Sequence, residues 1–318
     1  MKDDFTNTGV AEPPAEAKPE TAATTPSQAA SGNGSGRLVA SERPKSQGPP
    51  KSIWREYFES AVVTVIMALF GMTFIVQAVK VPTGSMQNTI TIGDHLLVNK
   101  FIFAPGPPLP FLPMREIRRG DIIVFKYPGN PNNRERDEID PNNAPYKTNY
   151  VKRVIGLPGD RLEVRGTLVL INGEPLPEQR VTALDPGHGA PPDDLRHNAP
   201  LRILDNPPPT GEGPYTVYYS PDTRLATNES ADLPSASDFH YGVNGKPAVI
   251  PEGHYFVMGD NRDNSSDSRA WGFVPRDLVI GRAMFVYWSY DESAPSSGNP
   301  LLDFLYNTRW SRTLTMIK

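Results

Sequence analysis

Hydrophobic and polar positions divide this chain into three parts. The first fifty or so residues show no apolar periodicity, whereas residues 61–79 carry no charge and only three appreciably polar side chains. At 1.5 Å per residue, such a run spans the roughly 30 Å hydrocarbon core of a bilayer. Beyond it, short β-branched and aromatic runs between Gly and Pro predict strands, at residues 95–103, 121–127, 150–156, 167–173, 254–260 and 281–288. The pattern predicts a mainly β fold anchored by one N-terminal transmembrane helix.

The same pattern gives the domain boundaries. Residues 1–56 are rich in Ala, Pro, Thr, Ser and Gly, a composition that predicts a disordered tail. We expect a transmembrane helix at 57–79 and one extracytoplasmic domain at 80–318. Within that domain, residues from about 166 to 250 are dense in Pro, Asp and Asn, which predicts an inserted, loop-rich subdomain.

Charges flanking the apolar run predict its orientation. Arg43, Lys45, Lys51 and Arg55 precede it, and only Lys80 follows closely. By the positive-inside rule the tail is cytoplasmic and the rest of the chain is periplasmic or otherwise extracytoplasmic. The expected location is therefore the plasma (inner) membrane, crossed once. Trp54, Tyr57 and Phe58 add an aromatic belt on the entry side.

Composition excludes several functional classes. The chain has 318 residues, a formal net charge of −4 and no Cys, with a pI near 5.8. The charge opposes nucleic-acid binding, because no excess of Lys and Arg is available to neutralise phosphates. Without Cys there are no disulfides, thiolate zinc sites or thiol nucleophiles. No phosphate-binding loop is present, and we expect no cofactor and no metal.

The segment VPTGSMQNTI presents Ser85 in a Pro- and Gly-bearing turn directly after the apolar run. Taken alone, such a Ser is usually an inert turn hydroxyl that bonds its own backbone. Lys152 stands among Tyr150, Val151 and Val154 in a predicted strand. Apolar surroundings lower the pKa of a lysine, and a neutral amine can take a proton from Ser. The alternative is a surface lysine that protects an edge strand.

A polar run at residues 258–275, MGDNRDNSSDSRAWGFVP, is too dense in Asp, Asn, Ser and Arg for an ordinary strand. Asp260, Asp263 and Asp267 are hard oxygen ligands, but the run lacks the spacing and the closing Glu of an EF-hand calcium loop. A buried hydrogen-bonded network that orients a catalytic lysine fits this run better.

Together, these three segments resemble those of the bacterial type I signal peptidase (leader peptidase) family, from the apolar run nearly to the C-terminus. The family's P-[ST]-G-S-M box stands at residues 82–86, its Y-[IV]-K-R-V-x-G-x-P-G-D box at 150–160, and its G-D-N-R-D-N-S-x-D-S-R-x-W-G box at 259–272. The last two boxes are long and compositionally unusual. The resemblance implies a signal-peptidase-like β catalytic domain with an inserted subdomain.

The resemblance also implies roles for individual residues. Ser85 would be the nucleophile and Lys152 its general base, and the backbone N–H of Ser85 with the Thr83 hydroxyl would form the oxyanion hole. Ser265 would hydrogen-bond the Lys152 amine. Asp260 would pair with Arg153, while Asp267 and Arg269 would support the Ser265 loop. The expected activity is that of a membrane-bound serine endopeptidase that removes signal peptides from exported preproteins, cutting after small-x-small residues.

Substrate and lipid contacts follow from the same resemblance and from apolar sequence. The positions that match the family's substrate pockets are Val81, Pro82, Met86, Ile90, Tyr150 and Val151. An extended signal peptide would add as a strand beside the Lys152 strand. We expect the apolar stretch at 101–113, together with Trp310, to dip into the lipid interface.

One position departs from the family pattern, and several alternatives stay open. Asn88 stands where the family usually has Pro, so the rigidity of the Ser85 turn is in doubt. The histidines, for which surface or structural roles are the default, are His95, His188, His197, His240 and His254. Other readings are a specialised maturation peptidase, a self-cleaving repressor-like protein, which the apolar run and acidic charge oppose, and a non-enzymatic membrane-anchored scaffold.

Overall fold

The computed structural model describes residues 52–104, 106, 114–139, 144–187, 199–225, 239–243 and 245–318. The predicted disordered tail lies outside these residues, apart from its last few positions. Helix α1 spans Ile53–Phe70 and continues as a π-helical turn at Gly71–Ile75. This segment has a mean hydropathy of 2.0 and is long and apolar enough to cross a membrane.

The apolar segment is helical over an earlier stretch than the predicted 57–79, from Ile53 to Ile75. Strand β1 begins at Val76 and ends at Lys80, so the last residues of the apolar run are extended. They pair in register with the next strand, from Val76 opposite Asn99 to Lys80 opposite His95. Because β-branched residues favour strands wherever a partner is available, the sheet takes over the end of the run.

One large sheet carries most of the chain's β structure. Its strands pair in the order β1-β2-β14-β3-β4-β12-β13, and β15 pairs with β14. The strand β14 is the longest and pairs with bulges against β2 and β3, which increases the local twist. After β1, the bounds in this sheet are β2 Asp94–Asn99, β3 Ile122–Lys126, β4 Asn149–Gly156, β12 His254–Met258, β13 Val274–Pro275, β14 Val279–Ser289 and β15 Thr315–Met316.

Among the described residues, two smaller sheets lie between β4 and β12 in the sequence. One has the order β11-β5-β6-β7 and the other β10-β8-β9. The predicted boundary near residue 166 falls between β5 and β6, which are paired neighbours. The bounds are β5 Arg161–Arg165, β6 Leu168–Ile171, β7 Glu174–Pro175, β8 Gln179–Leu184, β9 Arg202–Leu204, β10 Thr216–Tyr219 and β11 Ala248–Val249.

The remaining helices are short and lie at the surface or in the connections. They are α2 Arg134–Ile139, α3 Pro221–Leu225, α4 Ser268–Trp271 and α5 Pro300–Asn307. Asn299 caps α5, with its side chain accepting from the N–H of Leu301.

Residues 101–103, predicted as the end of a strand, form a 3₁₀ turn because the Asn99 side chain accepts from the N–H groups of Phe101 and Ile102. Phe103 is buried in a core cluster with Ile123, Phe125 and Trp271. Its expected place in the lipid interface is therefore wrong. Most of the stretch 104–113, including Phe111, lies outside the described residues.

Candidate active site

Ser85 lies in a tight turn that follows β1. Gln87 N–H bonds to the carbonyl of Gly84, and Ile90 N–H bonds to that of Met86. From the opposite side, Asn261 holds the turn through its main-chain N–H to Ser85 O, 3.1 Å, and its Nδ2 to Gly84 O, 3.2 Å. The Ser85 backbone is thus fixed by Asn261, a residue of the loop that follows β12.

Lys152 stands on strand β4, opposite Ile123 of β3. Its Nζ lies 2.5 Å from Ser85 Oγ, and the side chain is 4% exposed. Burial disfavours the charged amine and lowers the pKa of Lys152 from 10.5 to about 8. Ser85 and Lys152 are 67 residues apart in the sequence. The structure therefore places a hydroxyl next to an amine that is partly neutral near physiological pH.

Nearby charges act on Lys152 in opposite directions. Asp267 and Asp260 raise its pKa, whereas Arg269 lowers it, and burial outweighs them all. The negative charge of each carboxylate is balanced by an arginine partner, which is Arg153 for Asp260 and Arg269 for Asp267. Lys152 consequently lies beside carboxylates without a direct ion pair that would keep it protonated.

Arg153, the next residue on β4, pairs with Asp260. Its Nε and Nη2 donate to the two carboxylate oxygens over 2.8 and 2.7 Å, and Nη1 donates to Gly120 O, 2.9 Å. The same carboxylate accepts from the Thr89 hydroxyl, 2.6 Å, so the pair also touches the Ser85 turn. Both members are almost fully buried.

The loop after β12 carries the second buried pair. Asp267 caps the short helix α4 by accepting from Arg269 N–H, and the Arg269 guanidinium donates to both Asp267 oxygens over 2.8 Å. Burial is the strongest single influence on Asp267 and raises its pKa, but Arg269, Lys152 and the Gly259 N–H together outweigh burial and hold that pKa below its ordinary value. Asp267 also accepts from Gly259 N–H, 3.1 Å, which fixes the start of the loop.

Gly259 is required by close approach. A Cβ at this position would lie 2.4 Å from Ser85 O and 2.3 Å from Ser265 Oγ, both far inside van der Waals contact. Only a residue without a side chain lets the loop pack this tightly on the Ser85 turn.

Ser265 is buried beside this contact, but the predicted hydrogen bond to the Lys152 amine is not formed. Its Oγ has no hydrogen-bond partner among the described residues. The Lys152 amine instead contacts Ser85 Oγ. Ser265 thus lies close to Gly259, which packs on the Ser85 turn, but its hydroxyl makes no hydrogen bond within the described residues.

The predicted substrate positions divide into two groups. Val81, Met86 and Ile90 are core residues of one apolar cluster, and Ile90 is 0% exposed. They have almost no surface for direct contact and instead support the turn. Pro82 is exposed, while Tyr150 and Val151 are half-buried on β4. These three residues offer apolar surface beside Ser85.

Two features of the site were not found from the sequence. Gln87 and Asn88 hydrogen-bond main-chain groups of residues 199–201. The fully buried Arg262 pairs with Glu178, and its Nη1 also donates to Tyr219 Oη. Both sets of partners lie within the region predicted as a loop-rich insertion. No local sequence pattern predicts such pairs. The signal for Arg262 was its position in an unusually polar run.

The histidines and acidic residues make other contacts. His95 and His254 hydrogen-bond the carbonyls of Gly93 and Glu252, and His188 and His197 lie outside the described residues. Asp263 accepts from Ser220 N–H, so the three carboxylates of the loop point to three different partners. Within the described part of the chain, no cluster of three His, Asp or Glu side chains could hold a metal ion.

Comparisons with known proteins give one consistent family. The model described as signal peptidase, peptidase S26, matches residues 54–288. Signal peptidase I of Pseudomonas fluorescens is 33% identical over 253 residues, which cover 74% of this chain and 73% of that protein. Signal peptidase I of Pseudomonas aeruginosa is 32% identical over 258 residues, 76% and 75% of the two chains.

A solved signal peptidase I of Enterococcus faecalis is 26% identical and covers 53% of this chain and 97% of its own. Its TM-score is 0.24, so the superposition adds no argument to the sequence matches.

Proposed function

Because this chain belongs to the signal peptidase family, peptidase S26, we propose that Ser85 is its nucleophile and Lys152 its general base. Removal of signal peptides from preproteins follows from the family. The assignment of the two residues is supported most directly by one observation, the 2.5 Å separation of Lys152 Nζ and Ser85 Oγ.

The chemistry follows from the charge state of the amine. Neutral Lys152 accepts the proton of Ser85 Oγ as the oxygen attacks the carbonyl carbon of the scissile peptide bond. The protonated amine then gives this proton to the leaving nitrogen, which frees the mature chain and leaves an acyl-enzyme. A water molecule, deprotonated by the same amine, hydrolyses the ester and restores Ser85.

We assign the oxyanion hole to Ser85 N–H and the Thr83 hydroxyl. Among the described residues, neither group has a hydrogen-bond partner, so both are available as donors. Thr83 is exposed beside Ser85. A preorganised donor of this kind contributes about 3 kcal/mol to stabilising the tetrahedral intermediate.

The open part of strand β4 supports substrate binding by strand addition. On one side, β3 pairs with all of 149–153. On the other, β12 pairs with β4 only from Arg153 to Gly156. Within the described chain, β12 therefore leaves Val151 and Lys152 without strand pairing on that side, next to Ser85, and an extended signal peptide can bond there. Pro82, Tyr150 and Val151 flank this edge, and the expected preference is for small residues at the first and third positions before the cut.

A second surface supports contact with lipid. Helix α5 and the following segment expose large apolar side chains. This region lies near the helical anchor, because Lys80, which follows the anchor, pairs with Glu292, which precedes α5. The exposed residues are Leu301, Leu305, Tyr306, Trp310, Leu314 and Met316. A patch of this kind beside an anchor fits a bilayer interface. With the basic residues before α1 on the cytoplasmic side, the catalytic domain lies on the extracytoplasmic face.

Trp310 reports on this contact. In nanodiscs containing brominated lipid, Trp310→Phe is expected to remove part of the tryptophan quenching, whereas the buried Trp271→Phe is not. Equal quenching in wild type and Trp310→Phe would contradict the lipid contact.

The test of the function is cleavage of a preprotein by the full chain in detergent, with Ser85→Ala and Lys152→Ala alongside. We expect the wild type to cut after an Ala-x-Ala signal and both folded variants to be inactive. Replacing the Ala before the cut by Phe is expected to stop cleavage. Full activity of Lys152→Ala would overturn the base assignment, and indifference to the Phe substitution would overturn the specificity.

A further inference from the structure

The two residues after Met86 turn their amide side chains away from the large sheet. Gln87 Nε2 donates to Ala199 O over 2.8 Å. Asn88 Nδ2 donates to Leu201 O, 2.9 Å, and Asn88 Oδ1 accepts from Leu201 N–H, 2.8 Å. Three hydrogen bonds thus join the Ser85 turn to a segment more than a hundred residues away in sequence.

The Asn88 contact uses both ends of its amide. A primary amide carries one acceptor and two donors in a fixed plane, so it can pair with the N–H and C=O of one residue as a neighbouring strand would. Gln87 is buried and Asn88 half-buried, so these bonds are shielded from competing water. This pairing stands at the position where the resemblance leads one to expect a stiffening Pro.

The partner segment is itself firmly placed. Leu201 is buried in an apolar cluster with Val181, Ala183 and Tyr218, which belong to β8 and β10. Tyr218 N–H in turn bonds to Asp260 O, 2.8 Å. Leu201, which directly precedes β9, therefore links the Ser85 turn to a small sheet that also contacts the loop whose Asp260 pairs with Arg153.

A buried ion pair strengthens this second contact. Glu178, next to β8, pairs with Arg262, and both side chains are almost completely buried. Arg262 Nε also donates to Gly259 O, 3.2 Å, at the point where the loop packs on Ser85. The three-stranded sheet β10-β8-β9 thus supports both segments that form the site, the turn that bears Ser85 and the loop that follows β12.

From this arrangement we infer that Gln87 and Asn88 are positioning residues, which hold Ser85 within reach of Lys152 by fixing its turn to the main chain of residues 199–201. The inference rests on the proposed role of Ser85 as nucleophile. Neither amide touches the reacting atoms. A misplacement of about 1 Å is enough to cost about 10²-fold in rate, so the turn needs such a brace.

The test is the steady-state cleavage of a preprotein by full-length Asn88→Leu and Asn88→Asp. Leu keeps the approximate size and removes all three polar functions, whereas Asp keeps the acceptor for Leu201 N–H. We expect Asn88→Leu to lower kcat by about 10- to 100-fold with KM within about twofold. The reason is that Ser85 loses its alignment with Lys152, while the edge of β4 that binds the substrate is unchanged. Asn88→Asp should lie between Asn88→Leu and the wild type.

The pH profile distinguishes positioning from loss of stability. An opened turn admits water to Lys152, so the midpoint of the rise of kcat with pH should move upward from its wild-type value in Asn88→Leu. The matched control is Asn172→Leu. Asn172 also makes two amide hydrogen bonds, to Asp160 and Arg161, but these lie in the β5–β6 sheet. Its φ of 54° makes Leu there unfavourable, so this variant loses stability without touching the turn.

Each outcome has a separate meaning. A wild-type kcat and pH midpoint in Asn88→Leu would overturn the inference, as would an equal fall in kcat in Asn172→Leu at matched loss of stability. If Asn88→Leu does not fold, a wild-type kcat in Asn88→Asp overturns it and an intermediate kcat with KM within about twofold supports it. Ser85→Ala in the same assay tests the proposed function itself: if it still cleaves, the role of Ser85 fails, whatever Asn88 does.

Discussion

Two adjacent basic residues of strand β4, Lys152 and Arg153, lie on opposite faces of the strand and contact groups of different charge. Lys152 and Arg153 are both buried, 4% and 1% exposed. Because successive residues of a strand point to opposite faces, Lys152 contacts Ser85 while Arg153 contacts Asp260. One faces a hydroxyl and the other a carboxylate.

Burial alone therefore does not set the charge state. Burial is the strongest single influence on Arg153 and lowers its pKa, but the Asp260 carboxylate, together with Tyr215, outweighs burial and raises that pKa above its ordinary value. For Lys152 the order is reversed, since burial outweighs the more distant carboxylates and the pKa falls to about 8. The difference lies in the bidentate partner that only Arg153 has. The same strand thus holds a permanent structural cation and an amine able to exchange a proton.

The largest effect is expected for Lys152→Met, which removes the amine and keeps an unbranched apolar side chain. Cleavage should fall by about 10⁴-fold, because Ser85 loses its base. Stability should not fall. Below pH 8 the folded state bears the cost of the buried charged amine, and this cost is relieved progressively between pH 8 and 10.5. In Lys152→Met at pH 7 the free energy of unfolding should therefore rise by up to about 3 kcal/mol.

Urea unfolding and preprotein cleavage, measured on the same preparation, check this prediction. Ser85→Ala serves as the control, since it should lose activity with little change in stability. A strongly destabilised Lys152→Met would mean that the amine is a structural cation like that of Arg153.

Arg153→Met comes next, and its effect should be on folding. It leaves the Asp260 carboxylate buried without its partner, which costs about 3–5 kcal/mol. Thermal or urea unfolding checks the loss. Any residual folded fraction should have a pH midpoint at or above that of the wild type, because the unpaired Asp260 carboxylate favours the protonated Lys152 amine. A variant as stable as the wild type would erase the contrast between the two residues.

The pH dependence of wild-type cleavage gives the third effect. Protonated Lys152 cannot accept a proton, so kcat/KM should fall about tenfold per pH unit below about 8 and level off above it. Circular dichroism at each pH provides the control for folding. A flat profile from pH 6 to 9 would show that no group with this pKa governs the reaction.

The smallest effect is expected for Arg165→Met. Arg165 pairs with Glu163 over 2.8 Å, but Arg165 is exposed, so water replaces the lost contact. Its free energy of unfolding should change by no more than about 0.5 kcal/mol, against several for Arg153→Met. Similar losses in the two variants would mean that burial does not amplify the Arg153–Asp260 pair.

Much of the fold could be predicted from the sequence. The apolar run and the β-branched runs gave the helical segment and most strands of the large sheet, because those patterns are local. Errors came where a partner overrides a local preference. The end of the apolar run pairs with β2 and becomes strand β1, and Asn99 turns residues 101–103 into a 3₁₀ turn.

By itself, the sequence identified the residues that we propose for the chemistry and showed that Lys152 stands among apolar neighbours. Only the tertiary structure decided which groups meet. It leaves the Ser265 hydroxyl without a partner in the described chain, buries Ile90 beneath the turn, and joins Asn88 to Leu201. These contacts depend on strand register and on packing between segments far apart along the chain. Neighbouring residues fix local conformation but not which distant group arrives, so local patterns cannot specify such contacts.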